Sequence, residues 1–197
     1  PAGVTAQSVG TDVAVWYEDG VLWYYTTSDN VKIVNEYALF YKLGVVQQLD
    51  VSGWNITETE TLQSLFNTKS SAIHAIDLSS MDTSNAADMY LLFYTDASIS
   101  ALNVSGFDTS KATTMSYMFS GCSALASLDV SHWKTAACQN MSYMFNGCSK
   151  LTALDVSNWN TGSVTNPTYM FQNCSALTAL DLTGFTTDAC ESMQGMF

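Results

Sequence analysis

The chain has 197 residues, 47% of them hydrophobic, and six Lys and Arg against eighteen Asp and Glu give it a formal charge of −12. Without a basic patch to neutralise phosphates, the composition argues against nucleic acid as a partner. No apolar run approaches the roughly 20 residues of a membrane span, so we predict no transmembrane segment.

A hairpin is predicted before residue 45, in a part of the chain where nothing repeats. Residues 13–17 and 21–25 are rich in β-branched and aromatic side chains and flank the turn sequence EDG at 18–20. The hairpin either covers the first turn of the repeats, as a cap, or forms a separate ligand-binding element. Residues 31–45 are expected to form a short strand or helix. We therefore divide the chain into an N-terminal cap with its lead-in, residues 1–45, and a repeat region, residues 46–197.

Two short phrases recur through the repeat region. The first reads LDVSGW at 49–54 and returns as IDLSSM, LNVSGF, LDVSHW, LDVSNW and LDLTGF, once after 27 residues and then every 26. The second keeps the same spacing and ends in Phe66, Phe93, Phe119, Phe145, Phe171 and Phe197. A fixed period in the twenties is typical of proteins in which one supersecondary unit stacks on the next.

The residue pattern within a repeat predicts a strand followed by a helical turn. Leu154 and Val156 alternate with polar residues and should face inward. By the same register Leu128, Leu154 and Leu180 should be buried. Met141, Met144 and Phe145 have the i, i+3, i+4 spacing of one helix face. A further apolar column is predicted to form stacked core: Trp54, Met81, Phe107, Trp133, Trp159 and Phe185.

The predicted fold class is α/β. It is a leucine-rich-repeat-like, right-handed solenoid with one short parallel strand and one short helical or 3₁₀ segment per 26-residue repeat, and with an N-terminal β-hairpin cap.

The phrases LDVSNWNT, MSYMFNGCSKLTALDVS and YMFQNCSALTALDLTGF resemble the 26-residue repeat of bacterial surface lipoproteins, a family allied to the BspA-like leucine-rich-repeat surface proteins. The resemblance covers about residues 46–197. It implies a secreted or cell-wall-attached protein, often an adhesin or a host-interaction factor, and it implies no catalytic residue within the repeats.

One acidic position per repeat is the sharpest candidate for a ligand-binding site. It is occupied by Asp50, Asp77, Asn103, Asp129, Asp155 and Asp181, all expected to face outward. Carboxylates on strands ~4.8 Å apart repel one another by about 1 kcal/mol per pair in water. Three explanations stay open. The side chains accept hydrogen bonds from nearby hydroxyls and amides, they bind Ca²⁺, or they contact a cationic or hydroxyl-rich partner.

An aromatic column is the candidate partner-binding surface. Tyr117, Tyr143 and Tyr169 lie off the Met and Phe face of the second phrase and should be partly exposed. The alternative is that each ring packs edge-on between adjacent repeats.

Two further columns have structural explanations. Thr83, Thr109, Thr135, Thr161 and Thr187 are expected to be capping or turn residues, with an ice-ordering array as the alternative. The five cysteines occupy two phases, Cys122, Cys148 and Cys174 in one, Cys138 and Cys190 in the other. Parallel side chains in a ladder are poorly placed for disulfides, so buried free thiols are expected.

Catalysis and resident cofactors are not expected. His74 and His132 fall in different phases, and no nucleophile elbow, phosphate loop, CxxC pair or zinc spacing occurs. We predict no enzyme activity and no metal or cofactor, apart from the calcium alternative.

Two functions remain open for an extracellular, cell-surface chain. One is an adhesin-type module that binds an extracellular protein or glycan. The other is a structural spacer or assembly subunit of a surface layer or filament, which binds copies of itself. The sequence stops at Phe197, in the middle of a repeat. We therefore expect an open end of the stacked repeats, covered either by further chain or by another subunit, and we favour further chain.

Overall fold

The computed structural model describes the backbone of the strands within residues 1–50, and residues 51, 56–57, 59–68 and 72–197 with their side chains. The strands are β1 (Gln7–Ser8), β2 (Val13–Glu18), β3 (Val21–Thr26), β4 (Gln48–Leu49), β5 (Ala75–Asp77) and β6 (Ala101–Asn103).

The first four strands form one sheet in the order β1-β2-β3-β4. Strands β2 and β3 pair antiparallel, with Val13 opposite Thr26, where the aromatic hairpin was expected. Strand β3 also pairs parallel with β4 at the start of the first repeat. The proposed cap rests on side chains outside the described residues, as do the predictions for residues 31–45, Asp50 and Trp54. The boundary near residue 45 stays a prediction.

The predicted α/β, leucine-rich-repeat-like solenoid is wrong. The described residues contain no helix and no 3₁₀ segment, and after β4 at the start of the first repeat they form only two strands, the three-residue parallel pair β5 and β6. Later repeats replace this pair with the isolated parallel bridge Ser127↔Ala153. Turns and irregular backbone make up the remainder of the described repeats.

Equivalent residues of successive repeats are nevertheless hydrogen-bonded to one another. A row of parallel bridges joins Thr61, Asp88, Thr114, Asn140 and Asn166. Since each bridge spans 26 or 27 residues, the repeats lie side by side in sequence order, an arrangement that we call the repeat stack.

Left-handed backbone explains why the second phrase is not helical. Tyr143 has a φ of 58° and Gly147 one of 76°, values that no α-helix accommodates. The N–H groups of Tyr143, Phe145 and Gly147 donate to the next repeat, at Thr168, Met170 and Gln172. The residues between them close short turns, as when the N–H of Cys148 donates to the carbonyl of Phe145. These tight turns bury the same side chains that a helix would have buried.

The left-handed conformation recurs at the same two positions. The first is Ser64, Leu91, Tyr117, Tyr143, Tyr169 and Gly195, with φ between 58° and 60°. The second is Thr95, Gly121, Gly147 and Asn173. Four of the described repeats, from Leu91 to Asn173, therefore turn twice through a conformation that costs ordinary residues about 1–2 kcal/mol.

Stacked rings form the centre of the core. Phe93, Phe119 and Phe145 are fully buried, with neighbouring centroids 5.4–5.5 Å apart. Trp133 and Trp159 form a second row with centroids 6.3 Å apart, so the prediction of a stacked apolar column is confirmed for these residues.

The predicted alternation in the first phrase is confirmed in the middle repeats. Leu154 and Val156 are buried, whereas Ala153, Asp155 and Ser157 are exposed. Leu128 is buried as predicted. Leu180 was also predicted to be buried, but it is only half-buried, because no further repeat lies over it in the structure.

Candidate functional site

The acidic row is one exposed side chain per repeat on the outer surface of the stack. Its described members are Asp77, Asn103, Asp129, Asp155 and Asp181, and all of them are exposed. The residue two places before each member is Ala75, Ala101, Ser127, Ala153 or Ala179, and these are exposed as well. The row therefore lies on an open surface with small neighbours.

A local turn holds each member of the row in place. The Oδ1 atom of Asp155 accepts a hydrogen bond from the N–H of Ser157 at 3.0 Å and one from its hydroxyl at 2.7 Å. Asp129 and Asp181 have the same pair of bonds, from Ser131 and Thr183. Asn103 accepts the N–H of Ser105 at 3.1 Å, so the amide serves the turn as well as the carboxylate does. The predicted hydrogen bonds from nearby hydroxyls and amides are confirmed.

These hydrogen bonds keep the carboxylates charged. The hydroxyl and then the N–H of Ser157 lower the pKa of Asp155, although the charges of Asp129 and Asp181 act in the opposite direction. Bonds from the i+2 residue likewise lower the pKa of Asp77, Asp129 and Asp181. The row is thus a line of anions at neutral pH, and the turns stabilise it against its own repulsion.

The described part of the chain contains no preformed metal-binding site of clustered side chains. No group of three or more His, Cys, Asp or Glu side chains there is arranged to hold a metal ion. The calcium alternative stays a prediction, as does the expectation that the protein needs no cofactor.

The tyrosine column is half-buried and stacked face to face. The ring centroids of Tyr117 and Tyr143 are 4.4 Å apart, and those of Tyr143 and Tyr169 are 4.7 Å apart. Tyr90 and Tyr94 meet Tyr117 edge to face. Burial, followed by the neighbouring phenol of Tyr143, raises the pKa of Tyr117.

This stacking limits what the tyrosines can bind. Because neighbouring rings cover the faces of Tyr117 and Tyr143, a partner reaches only their edges and hydroxyl groups. The packing differs from the edge-on packing that the sequence suggested for these three rings. The partner-binding role stays a prediction.

The threonine column lies between repeats rather than on an outer surface. Thr83, Thr109, Thr135 and Thr161 are buried, and each hydroxyl donates to a carbonyl of the next repeat at 2.9–3.0 Å. The carbonyl of Thr135 also accepts the N–H of Cys138, so the predicted turn role is confirmed. The buried hydroxyls cannot form a water-ordering array.

All five cysteines are free thiols, as predicted, and four of them are buried as predicted, whereas Cys190 is only half-buried. The Sγ–H groups of Cys122, Cys148 and Cys174 donate to the carbonyls of Phe93, Phe119 and Phe145. Burial raises the pKa of the Cys138 thiol to about 12 and that of Cys174 to about 11. These thiols are therefore poor nucleophiles and poor metal ligands.

From the sequence we expected an exposed apolar end at Phe197, but we did not identify Met193 as part of that surface. Phe197 is 70% exposed and Met193 is 50% exposed. The expectation rested on the column of Phe145 and Phe171, which Phe197 shares and which neighbouring repeats bury.

Within the described residues, no helix is long and apolar enough to cross a membrane.

No curated protein and no solved structure matches the chain significantly. One family does match, with the description "Mycoplasma protein of unknown function, DUF285". It matches residues 34–151 and again residues 93–197, which together include the whole repeat stack. Since these matches extend over well more than half of the sequence, the chain belongs to the DUF285 family.

Proposed function

We propose that the chain is a binding module of an extracellular, cell-surface protein, and that its acidic row binds a hydroxyl-rich glycan. The observation that carries this proposal is the uniformity of the row. One exposed carboxylate or amide returns at the same place in each described repeat, with the same small neighbours. A surface that repeats in this way fits a partner that also repeats, as a polysaccharide does.

The chemistry of the row suits sugar hydroxyls. In Asp155 the hydrogen bonds from Ser157 go to Oδ1, and no other described residue donates to Oδ2. That atom is an exposed, charged acceptor, and charge-assisted hydrogen bonds are the stronger kind. The Asx turns fix the side chain before binding, which reduces the entropy lost on binding.

Family resemblance supports the cellular setting. The phrases that resemble the repeat of bacterial surface lipoproteins, allied to the BspA-like surface proteins, favour an exported adhesin-type protein. The DUF285 description assigns no function, so the partner is inferred from the surface alone.

A direct test uses immobilised neutral polysaccharides, namely mannan and polymeric N-acetylglucosamine, with binding measured by surface plasmon resonance. The test variant is the triple substitution Asp129→Asn, Asp155→Asn and Asp181→Asn. It should fold, because Asn103 already forms the same turn. The matched control is Asp82→Asn, Asp108→Asn and Asp188→Asn, which changes the net charge equally outside the row.

We expect saturable binding that the row variant weakens at least tenfold and the control leaves unchanged. Equal loss in both variants would indicate a general charge effect, and absence of saturable binding would refute the proposal. Binding that disappears with EDTA and returns with Ca²⁺ would replace direct contact with a calcium bridge.

The same uniformity favours one alternative, a structural spacer or assembly subunit of a surface layer or filament. An unvarying outer face lacks the residue variety of a specific protein epitope. Ordered filaments or sheets of the purified chain in negative-stain electron microscopy, without any glycan binding, would favour this second function.

A further inference from the structure

One peptide unit in the middle of the repeat stack has a sequence that is prone to chemical change. Asn146 is followed by Gly147, and this is the one Asn-Gly pair in the sequence. In such a pair the backbone nitrogen of the glycine reaches the side-chain amide carbon of the asparagine easily, because glycine has no Cβ to hinder the approach. Asn is a thermolabile residue, and a flexible chain that contains Asn-Gly loses ammonia at this point.

A neighbouring repeat on each side holds this peptide unit in place. The N–H of Gly147 donates to the carbonyl of Gln172 at 2.8 Å, and the carbonyl of Asn146 accepts the N–H of Gly121 at 2.7 Å. The side-chain amide is held as well, since Nδ2 of Asn146 donates to Oε1 of Gln172 at 2.9 Å. Both reacting groups, the glycine N–H and the asparagine amide, are therefore hydrogen-bonded to the next repeat.

The turn around the pair adds to this restraint. The N–H of Asn146 donates to the carbonyl of Tyr143, and the N–H of Cys148 donates to that of Phe145. Phe145 and Cys148, on either side of the pair, are both 0% exposed. Ring closure requires the backbone to rotate until the Gly147 nitrogen meets the Asn146 side chain. The packed turn resists that rotation, so the reaction should be slow while the stack is closed.

Equivalent peptide units of the other described repeats lack this combination. The place of Asn146 is taken by Asn67, Tyr94, Ser120 and Gln172, and that of Gly147 by Thr68, Thr95, Gly121 and Asn173. Tyrosine and serine have no side-chain amide, and a glutamine would have to close a larger ring. The branched side chain of Thr68 hinders attack on Asn67. The reaction is therefore favoured at one place in the stack.

We propose that Asn146–Gly147 is a spontaneous modification site, which the closed stack protects and local opening of the repeats exposes. In the opened chain the Gly147 nitrogen loses its proton to solvent and forms a bond to Cγ of Asn146. The Cγ–Nδ2 bond breaks, and Nδ2 leaves as ammonia. Water then opens the succinimide ring at either carbonyl and gives isoaspartate or aspartate. Water is the only co-reactant, and the proposal does not depend on glycan binding.

The main product does not fit the closed stack. Isoaspartate inserts a methylene group into the main chain at a peptide unit that bonds to the repeats on both sides. Its carboxylate also replaces the amide group that donates to Gln172. A modified chain should therefore open more easily than an unmodified one, so a single opening leaves a permanent mark on the stack.

The test compares the same Asn-Gly pair in three states. These are the folded 197-residue chain, the same chain unfolded in urea, and a synthetic peptide of residues 141–152. All are incubated at pH 8 under reducing conditions, and peptide mapping by mass spectrometry measures isoaspartate and aspartate at position 146. Gln172→Ala removes the acceptor of the Asn146 amide. Gln139→Ala, at an exposed glutamine, is its matched control.

We expect the peptide and the unfolded chain to be modified at least tenfold faster than the folded chain. Urea at concentrations below the unfolding transition should accelerate the reaction of the folded chain, because it favours local opening. Gln172→Ala should accelerate it at least threefold, and Gln139→Ala should not.

A second measurement follows the effect of the modification on the stack. Folded protein that has been aged should have a lower thermal midpoint than fresh protein. Asn146→Ser, which introduces the residue found at the equivalent position Ser120, should show no such change on ageing.

Four results would overturn the proposal. The folded chain could be modified as fast as the peptide, so that the closed stack gives no protection. Low urea could leave the folded rate unchanged, which would exclude control by local opening. Gln172→Ala and Gln139→Ala could react alike, which would exclude protection by the side-chain bond. Aged Asn146→Ser could lose as much thermal stability as the aged parent chain, which would place the damage elsewhere.

Discussion

The middle repeats and the last repeat are built from nearly the same side chains, yet they differ sharply in burial. Phe145 is fully buried, whereas Phe197, at the same position two repeats later, is 70% exposed. Leu154 is buried, whereas Leu180 is half-buried. The comparison teaches that a side chain in this molecule is stabilised mainly by the repeats on either side of it, so position in the stack decides how much each residue contributes.

The largest difference should appear between the two phenylalanines. We expect Phe145→Ala to lower the free energy of unfolding by about 3–5 kcal/mol, because it leaves a cavity within the ring stack. Phe197→Ala should cost less than about 1 kcal/mol, because most of that ring is already in water. Urea denaturation followed by circular dichroism measures both. Equal losses would mean that the two repeats are equally well packed in solution.

A smaller difference is expected in the threonine column. The buried hydroxyl of Thr135 donates to the carbonyl of Asn160 at 2.9 Å, whereas Thr187 is exposed. Thr135→Val keeps the shape but leaves that carbonyl without its donor, so we expect a loss of about 1–3 kcal/mol. Thr187→Val should be nearly neutral. The comparison fails if the two substitutions change the urea midpoint by the same amount.

The cysteines distinguish the same two regions at alkaline pH. Burial raises the pKa of the Cys138 thiol to about 12, and it also raises the pKa of Cys190, which occupies the same phase of the last repeat but is only half-buried. A raised folded pKa means that this contribution to stability is complete below the unfolded value and is lost as the pH rises toward the folded one. Stability should therefore decline from about pH 9 upward.

Thiol labelling makes the comparison residue by residue. With a disulfide reagent at pH 8, half-buried Cys190 should react first, and buried Cys122, Cys138 and Cys148 should react only as the chain unfolds. Substituting Cys190→Ser should remove the fast phase alone. A fast phase that survives this substitution would show that a middle repeat opens readily.

The smallest effect is expected on the outer surface. Asp155→Asn should leave the thermal midpoint almost unchanged at pH 7. Asn103 shows that an amide forms the same turn, and the substitution removes the repulsion of Asp155 by Asp129 and Asp181. The pKa of Asp155 is lowered in the folded chain, so its contribution is present above the unfolded value and is lost as the pH falls through the folded one. The stability of the Asp155→Asn variant should therefore depend less on pH below about pH 4 than the stability of the parent chain does. A large loss for Asp155→Asn at neutral pH would instead indicate an essential contact or a bound ion.

The inward and outward faces of the repeat were predictable from the sequence, but its backbone was not. Alternation correctly placed Leu154 and Val156 inside and Asp155 outside. The i, i+3, i+4 spacing of Met141, Met144 and Phe145 correctly marked buried residues, but it wrongly suggested a helix. A series of tight turns separates buried side chains by the same intervals, so spacing alone cannot distinguish the two.

One signal against the helix was present. The second left-handed position is occupied by Thr95, Gly121, Gly147 and Asn173, and three of these four are Gly or Asn, which tolerate that conformation better than other residues do. The first position gave no such warning, because tyrosine rarely adopts a positive φ. Stacking of its ring on the tyrosines of adjacent repeats accompanies the strained backbone at Tyr143. Contacts of this kind, between residues 26 apart, are not encoded in any local stretch of sequence.

The direction of the hydrogen bonds between repeats has a mechanical consequence. Because the N–H groups of Tyr143, Phe145 and Gly147 all point along the stack, a force that pulls its two ends apart loads these bonds along their length, repeat after repeat. The repeats should then detach singly, starting where one neighbour is missing, instead of resisting together in shear. Each detached repeat of 26 residues would extend to about 90 Å at most, from a stacked rise of about 5 Å. A chain built in this way would act as an extensible tether that lengthens in steps under load.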